Sequence, residues 1–391
     1  MNLRLFLLLA LLPNLLLGQD DKPKNWVLSG YVKDLQSLTI FSDNSSFLPG
    51  QLFRDNLIHN RLNFKWFIND ELTFRAEMRN RFFWGDQVQV LERLGGLFKT
   101  NLDAANDYGD LSYEVASKKG VAFQAMLDRL FLDFTKNKWE LRFGRQRVNW
   151  GINTLWNPND IFNAFSFVDF DYEERPGVDA LRVKYYAGTA SSIEIAAKAK
   201  MLDNSDEAVI AGLWKFNRWD YDFQLLAGLV KRDVAFGGGW AGNLKNASFK
   251  GELTYFVSLE DEIDNSFAAT FGFDYVFSNS LSFSSGFLFN SNGRATNSSE
   301  VFTFELTAKN LYPYKYTFYV QGLYPVHPLM NAGLAIIYSP SSLHALFINP
   351  TFTYSISDNW DLDFIGQLVF NKDKGYKSPV QAVFLRMKFS F

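Results

Sequence analysis

Arg75, Glu77, Arg79 and Arg81 occupy every second position of "ELTFRAEMRNRFFWG" (residues 71–85), in a chain of 391 residues whose formal net charge is only -3. Guanidinium groups in such a row can bind or guide anions, because each carries several N–H donors on a charge that does not titrate. They do not supply proton-transfer catalysis, and little else in the chain does. There are three His and no Cys. His59 has no nucleophile in its immediate sequence neighbourhood, His327 lies in the turn-like "YPVHP", and His344 follows "SPSSL". A barrel-type lipase or protease needs a Ser/His or Asp/His set within hydrogen-bond reach. The three His read instead as ordinary polar or turn residues. The same scarcity argues against a transition-metal site, so no catalytic residue, metal or cofactor is expected.

The elements that carry the arginines have a period of two. Leu72, Phe74, Ala76, Met78, Asn80 and Phe82 share one parity, and Thr73, Arg75, Glu77, Arg79 and Arg81 the other. Successive side chains of a strand point to opposite sides of the pleat, so this is a β-strand with one greasy and one wet face. A soluble sandwich and a membrane barrel both satisfy it. The N-terminus, "MNLRLFLLLALLPNLLLGQ", carries Arg4, an apolar run and the small Gly18, which reads as a secretory signal peptide over 1–18. No later stretch approaches the roughly 18 unbroken apolar residues of a spanning helix, so strands would have to do any crossing. Aromatic residues make up 17% of the chain and charged residues 21%, with a mean hydropathy of -0.12. That blend suits strands between lipid and water. A pI near 5.8 without a basic tail gives no case for nucleic acid, and none is expected as a partner.

Alternation predicts about 18 strands, near 26–36, 54–68, 71–83, 121–135, 138–149, 177–187, 191–201, 207–217, 221–231, 233–243, 247–257, 267–278, 280–290, 315–324, 330–338, 344–356, 359–370 and 380–391; 16 remain possible if two short elements are loops. Counting "VAFGGGWAGNL" as the tenth puts the short turns "IND", "KNK", "LKN", "SNS" and "SDN" on one side. The long connections 37–53, 84–120, 150–176, 258–266, 291–314 and 371–379 then share the other side, as in an outer-membrane barrel over 19–391. Within 84–120, Val88, Leu91, Leu94 and Leu97 have helical spacing. The last strand ends on Phe391 and resembles the recognition signal read by the barrel-assembly machinery of Gram-negative bacteria. The expected surroundings are outer-membrane lipid and lipopolysaccharide.

In such a barrel the greasy parity faces lipid, since a Lys or Arg there costs about 2–4 kcal/mol at the midplane. The lumen then receives Arg61, Lys65, Arg75, Arg79, Arg81, Arg129, Arg142, Arg182, Lys184, Lys198, Lys200, Lys250, Arg386 and Lys388. It also receives Glu77, Asp133, Glu140, Glu194, Asp222, Glu252, Asp274, Asp361 and Asp363. So many ions imply water inside, and 16–18 strands leave room for it. A net basic wall predicts anion preference; the bland alternative is that these charges pair and merely brace the wall. Arg79→Glu and Arg81→Glu are expected to reduce anion preference with folding largely intact, and collapse would mean that the arginines brace.

From Leu141 the chain reads "LRFGRQRVNWGINTLWNPNDIFNAFSFVDFDYEERPGVDALRVKYY". Alternation stops near Asn149, and turn residues take over until about Val178. Trp150, Trp156, Asn157 and Asp160 mark a candidate inward-folded constriction. Through Gly144, Arg145, Gln146, Trp150, Gly151, Asn157, Pro158, Asp160, Arg175, Pro176 and Gly177 this run resembles the alginate-export-type outer-membrane channels and their relatives. The resemblance implies an 18-stranded monomeric pore with an electropositive passage, loop gates and an anionic cargo such as an acidic polysaccharide. It does not carry over individual cargo-binding arginines, so the solute is not assigned.

Other readings are distinguishable. TonB-dependent receptors carry a folded plug before the barrel, and only "QDDKPKN" separates Gly18 from Trp26. An aromatic 150–170 loop could instead admit fatty acids or hydrocarbons. The barrel could also be a non-conducting scaffold for surface machinery, or the chain a soluble secreted β-protein.

Overall fold

The computed structural model describes residues 25–43, 48–103, 107–163, 171, 174, 175, 177–198, 208–261, 263–294, 306–372 and 375–391. The expected signal segment, Lys200 and Pro176 lie outside them. The alternating segments form β1 (Trp26–Phe41), β2 (Leu52–Phe67), β3 (Leu72–Gly85), β4 (Ser112–Ser117), β5 (Val121–Lys136), β6 (Trp139–Gln146), β7 (Val178–Gly188), β8 (Ser191–Lys198), β9 (Val209–Arg218) and β10 (Tyr221–Val230). They continue as β11 (Asp233–Leu244), β12 (Ala247–Ser258), β13 (Ser266–Val276), β14 (Ser282–Arg294), β15 (Tyr314–His327), β16 (Met330–Ser339), β17 (Ala345–Ser357), β18 (Trp360–Lys372) and β19 (Tyr376–Ser390). β1 pairs with both β2 and β19, which closes the sheet into an 18-strand antiparallel barrel with no free edge. β4 is an addition to that count. β3 covers one edge of β5 along almost its whole length, β6 covers the other from Leu130 to Lys136, and β4 takes the remainder from Val121 to Met126.

Each of the 18 expected strands is present, and the five short turns named from the sequence lie at one end of the barrel. The first and last strands meet at that end too, where Gly30 N donates to Phe391 O at 2.8 Å. The hairpin between β9 and β10 needs only Trp219 and Asp220, both at positive φ (55° and 60°), the twist-matched two-residue turn. "VAFGGGWAGNL" is strand β11, although glycine is a poor strand former. Its glycines make room for the loop described below: a Cβ on Gly237 would lie 2.7 Å from Asn159 Oδ1, and one on Gly239 2.7 Å from Ile152 Cδ1.

The two faces of the sheet are inverted relative to a water-soluble protein. Phe143, Ile195, Ile210 and Phe364 are exposed on the outside, while Lys33, Arg61, Gln124, Glu252 and Asn290 are buried within. Exposed hydrocarbon all round a closed barrel suits a bilayer. Near the short turns, outward rings pair as Trp139–Tyr185 (4.7 Å), Trp360–Phe389 (4.8 Å) and Trp26–Phe64 (6.3 Å), the placement of an interfacial aromatic girdle.

The 84–120 connection departs from a plain loop. It holds β4 and two helices, α1 (Asp86–Arg93) and α2 (Leu97–Asp103). Val88 and Leu91 are buried as their spacing predicts, but Leu94 and Leu97 are exposed. The reason is Gly95 and Gly96, both at positive φ, which end α1 and restart the helix in a new direction. Phe98 and Leu102 then complete the cluster with Val88, Leu91 and Ala122. Asp55 of β2 fixes the start of α1 by accepting the Gln87 N–H at 2.8 Å.

Candidate functional site

Gly144, at φ 116°, sits where β6 is about to leave the wall; a Cβ there would meet Leu130 O at 2.3 Å. The chain then crosses the interior. Trp150 is 1% exposed and its Nε1 donates to Glu194 of β8 at 2.7 Å, while its carbonyl accepts from Gln224 Nε2 of β10 at 2.7 Å. Glu252 of β12 gathers the next turn. One carboxylate oxygen accepts the N–H groups of Ile152 and Asn153 (the latter at 2.7 Å), and the other accepts Asn159 N at 3.1 Å. Asn159 also donates to Gly238 O at 2.9 Å and accepts from Thr254 Oγ1 at 2.7 Å. Trp156 and Asn157 are buried beside them.

A second connection folds inward to meet the first. Leu311, Tyr312 and Tyr314 are buried, Asn290 Nδ2 donates to Tyr312 O at 2.6 Å, and Lys309 reaches Asp233 at 2.9 Å. Tyr312 and Trp156 pack with centroids 5.9 Å apart, so two loops touch across the interior. Nothing in the residue types of 291–314 foretold that inward turn.

The wall charges named from the sequence fall into two groups. Most are paired. Arg61 binds Asp128 (2.5 Å) and Glu77 (2.6 Å), and Arg79 lies 3.4 Å from the same Asp128. Arg81 donates to Gln124. Asp133, Arg142, Glu140, Arg182 and Glu194 form an alternating chain over β5 to β8, with contacts of 2.5, 3.3, 2.5 and 3.5 Å. Lys198 approaches Asp107 at 3.6 Å, and Arg145 pairs with Asp179 at 2.6 Å. The second group has no carboxylate partner among the described residues. Lys65 lies over Phe67, Arg75 over Phe131 and Lys184 over Tyr186, at 4.2, 5.9 and 4.7 Å from the ring centroids. Lys215 of β9 joins them, half-buried with no carboxylate within pairing distance. Three strands on the far side, β13 to β15, present mostly neutral groups: Thr270, Asn290 and Thr317.

Strict parity overlooked Asp128. Gln124 and Met126 face inward on one parity, Arg129 and Phe131 on the other, and a register shift opposite Glu77 and Met78 lets Asp128 and Arg129 both point inside. The signal was in "QAMLDRLFLD", where polar residues change parity between Asp128 and Arg129. Lys33, Asp171 and Glu174 were also missed. Asp171 meets Lys33 (3.3 Å), His59 (2.7 Å) and Arg386 (3.5 Å). Burial alone would raise its pKa, but the His59 hydrogen bond and the charges of Lys33, His59 and Arg386 hold it well below the usual carboxylate range. His327 accepts the Leu329 N–H at 3.2 Å, and His344 lies 2.7 Å from the Tyr338 hydroxyl.

Asp160 behaves oppositely. Burial pushes it up to about 7, against the charges of Arg147 and of Arg175, whose Nη1 is 3.6 Å away; Glu252 is a further negative neighbour. A carboxyl raised above its unfolded value binds protons more readily when folded, so it favours the folded state most at low pH. That contribution, about 4 kcal/mol at most, declines as pH rises from near 4 towards 7 and is constant beyond. Asp160→Asn is expected to flatten this part of the pH profile, as read by denaturant midpoints of the purified protein in detergent.

No family model and no curated protein match this chain. Solved structures do. OccAB4 of Acinetobacter baumannii superposes with a TM-score of 0.58 at 11% identity, covering 95% of this chain and 100% of that one. OpdQ of Pseudomonas aeruginosa gives 0.56 at 8%, covering 94% and 97%. OccK5 (OpdH) of Pseudomonas aeruginosa gives 0.58 at 8%, covering 94% and 98%. These neighbours are 18-strand outer-membrane porins, not the alginate-export-type group that the 141–186 run resembles. At such identities the likeness is one of fold: this chain is a closed 18-strand barrel of the porin architecture.

Proposed function

We propose that this protein is an outer-membrane porin of a Gram-negative bacterium that passes small hydrophilic solutes through its lumen with a preference for anions. The observation that carries the reading is the inverted barrel, with hydrocarbon on its outer face and ionic side chains on its inner one. Anion preference rests on Lys65, Arg75, Lys184 and Lys215, the half-buried cations of the short-turn half that have no carboxylate partner among the described residues. Lys65 and Arg75 are register neighbours on β2 and β3, and Arg75 shares the Phe131 ring with Arg142. A paired ion is largely neutral to a passing solute, whereas an unpaired one still attracts its opposite. The competing view, in which wall charges only brace the barrel, draws support from the Asp133 to Glu194 chain. Uptake of hydrophobic compounds is disfavoured because Trp150 and Trp156 turn into packed contacts rather than towards an entry site.

Reversal potential across a planar bilayer under a salt gradient tests the reading. The wild type is expected to be anion-selective, and the variant with Lys65, Arg75, Lys184 and Lys215 all changed to Glu to be cation-selective. Cation preference in the wild type sinks the anion reading; no conductance at all favours the scaffold. The same reading has residues 1–18 removed on export and the strand ending in Phe391 engaged by the barrel-assembly machinery. Deleting Phe391 and following outer-membrane insertion tests the latter.

A further inference from the structure

The inner lining of the wall has a gap on β13 and β14. Ala268, Thr270, Leu288 and Asn290 face inward there and are buried, and the same parity continues to Gly272 and Gly286, which are register partners. A Cβ on Gly286 would meet nothing closer than 3.5 Å, whereas one on Gly237 or Gly239 would strike the crossing loop at 2.7 Å. The glycines of β11 make room for that loop; Gly286 leaves room that no protein atom takes. Glycine inside a strand weakens it and often marks a place where another group approaches the backbone closely. The result is an open recess of about 280 Å³ between residues 153–156 of the crossing loop and the wall from β12 to β15. Lys250, near the start of β12, and Asp274, near the end of β13, put it towards the short turns.

The lining combines hydrocarbon with a few placed polar groups, the usual make-up of a small-molecule site. Trp156 and Tyr319, both buried and with ring centroids 6.3 Å apart, supply the hydrocarbon. Lys250 pairs with Asp274 at 2.7 Å, and its Nζ donates to Thr154 Oγ1 at 3.1 Å. Charges matched in this way give a dissolved ion no net attraction to offset its lost hydration. A hydroxyl gains from both, because it donates to the carboxylate and accepts from the ammonium. Asn153 adds an amide: its Oδ1 would lie 3.5 Å from a Cβ on Gly272, and its Nδ2 has no hydrogen-bond partner among the described residues. We infer that the recess binds a neutral polyhydroxylated solute, one sugar ring or a polyol of that size. Its hydroxyls meet Asp274, Lys250 and Asn153, and its C–H face lies against Trp156 and Tyr319. The inference goes beyond the anion reading and needs from it only a wet lumen; it gives the largely neutral arc of the wall a solute class of its own.

The experiment is saturation-transfer NMR on the purified full-length processed protein in lauryldimethylamine oxide, a detergent without a sugar headgroup. Glucose and myo-inositol are the probes, and triethylene glycol, a flexible ether of similar size, is the control. Transfer to the ring protons of either probe is expected, with little to the control. Gly286→Val fills the recess and is expected to cut the glucose signal at least about tenfold, and Asp274→Asn, which keeps the shape but removes the charged acceptor, to weaken glucose binding about tenfold. No transfer from the folded wild type overturns the inference, as does equal transfer to triethylene glycol. A Gly286→Val protein that is folded by heat-modifiable migration and keeps the full signal also overturns it, since the sugar then sits elsewhere. If Gly286→Val fails to fold, an unchanged half-saturation in Asp274→Asn is the overturning result, and the wild-type arms decide if neither variant folds. Saturation transfer needs no membrane current, so the two readings fail separately. A wild type that binds glucose but carries no current loses the channel reading and keeps the site; one that conducts without transfer does the reverse.

Discussion

Arg79→Glu is expected to prevent the barrel from folding stably, rather than to change its ion selectivity. Arg79 is 3% exposed and its guanidinium lies 3.4 Å from Asp128, which is itself 2% exposed and bound by Arg61. The substitution removes one of two cations from a buried carboxylate and sets a second carboxylate beside it. Breaking a buried ion pair by removing one partner costs about 3–5 kcal/mol, and the new like charge adds to that. A folded barrel has about 5–15 kcal/mol to lose. Arg79→Met, which removes the cation without adding an anion, is expected to cost less, and Arg81→Glu less again, because Arg81 is held by the neutral Gln124. Heat-modifiable migration and denaturant midpoints of the three variants give the ranking. Equal stability for Arg79→Glu and Arg81→Glu would mean that Asp128 is not the hub the geometry makes it. This reverses the outcome anticipated from the row of arginines alone, where Arg79 and Arg81 look equivalent.

That reversal marks the boundary of what the chain discloses. Period-two patterning is a local property of each strand, so β1, β2, β3 and β5 to β19 could be read one at a time. Closure followed because the turns alternate short and long. The same patterning said which side chains enter the lumen, and Arg61, Arg75, Arg79, Arg142 and Arg182 do face inward. It could not say what each meets there. Arg61 and Arg75 have the same sequence environment in kind, yet one is sealed by Asp128, Glu77 and Glu174 while the other rests on a Phe131 ring. The difference lies in a register shift on β5 and in a loop that returns from β6, both non-local. Asp171 and Glu174 lie in an acidic stretch, "DFDYEERPG", that reads as surface loop chemistry. Only three-dimensional folding brings Asp171 and Glu174 to the cations of β1, β2 and β19.

Glu252→Gln is expected to leave the barrel intact and free the constriction. The barrel wall does not need the Glu252 carboxylate: β12 keeps its backbone ladder to β11 and β13, and the carboxylate accepts from the crossing loop. The loop does need it. A carboxylate accepts on both oxygens, so one side chain satisfies the N–H groups of Ile152, Asn153 and Asn159, which sit on both limbs of the 152–159 turn. An amide keeps one acceptor and turns a donor towards N–H groups, so at least one charged hydrogen bond, about 1.5–3 kcal/mol, is replaced by a donor facing a donor. Asn159 keeps its own links to Gly238 of β11 and Thr254 of β12, whereas the N–H groups of Ile152 and Asn153 are held to the wall through Glu252. The turn should therefore open from the Ile152–Asn153 limb while Trp150 stays pinned by Glu194. The expected readings are higher and noisier single-channel conductance, an unchanged heat-modifiable shift, and earlier proteolysis within 152–159. Glu252→Asp, which keeps the charge on a shorter arm, should fall between the two. If Glu252→Gln instead unfolded the barrel, the loop would be part of the core that closes the wall.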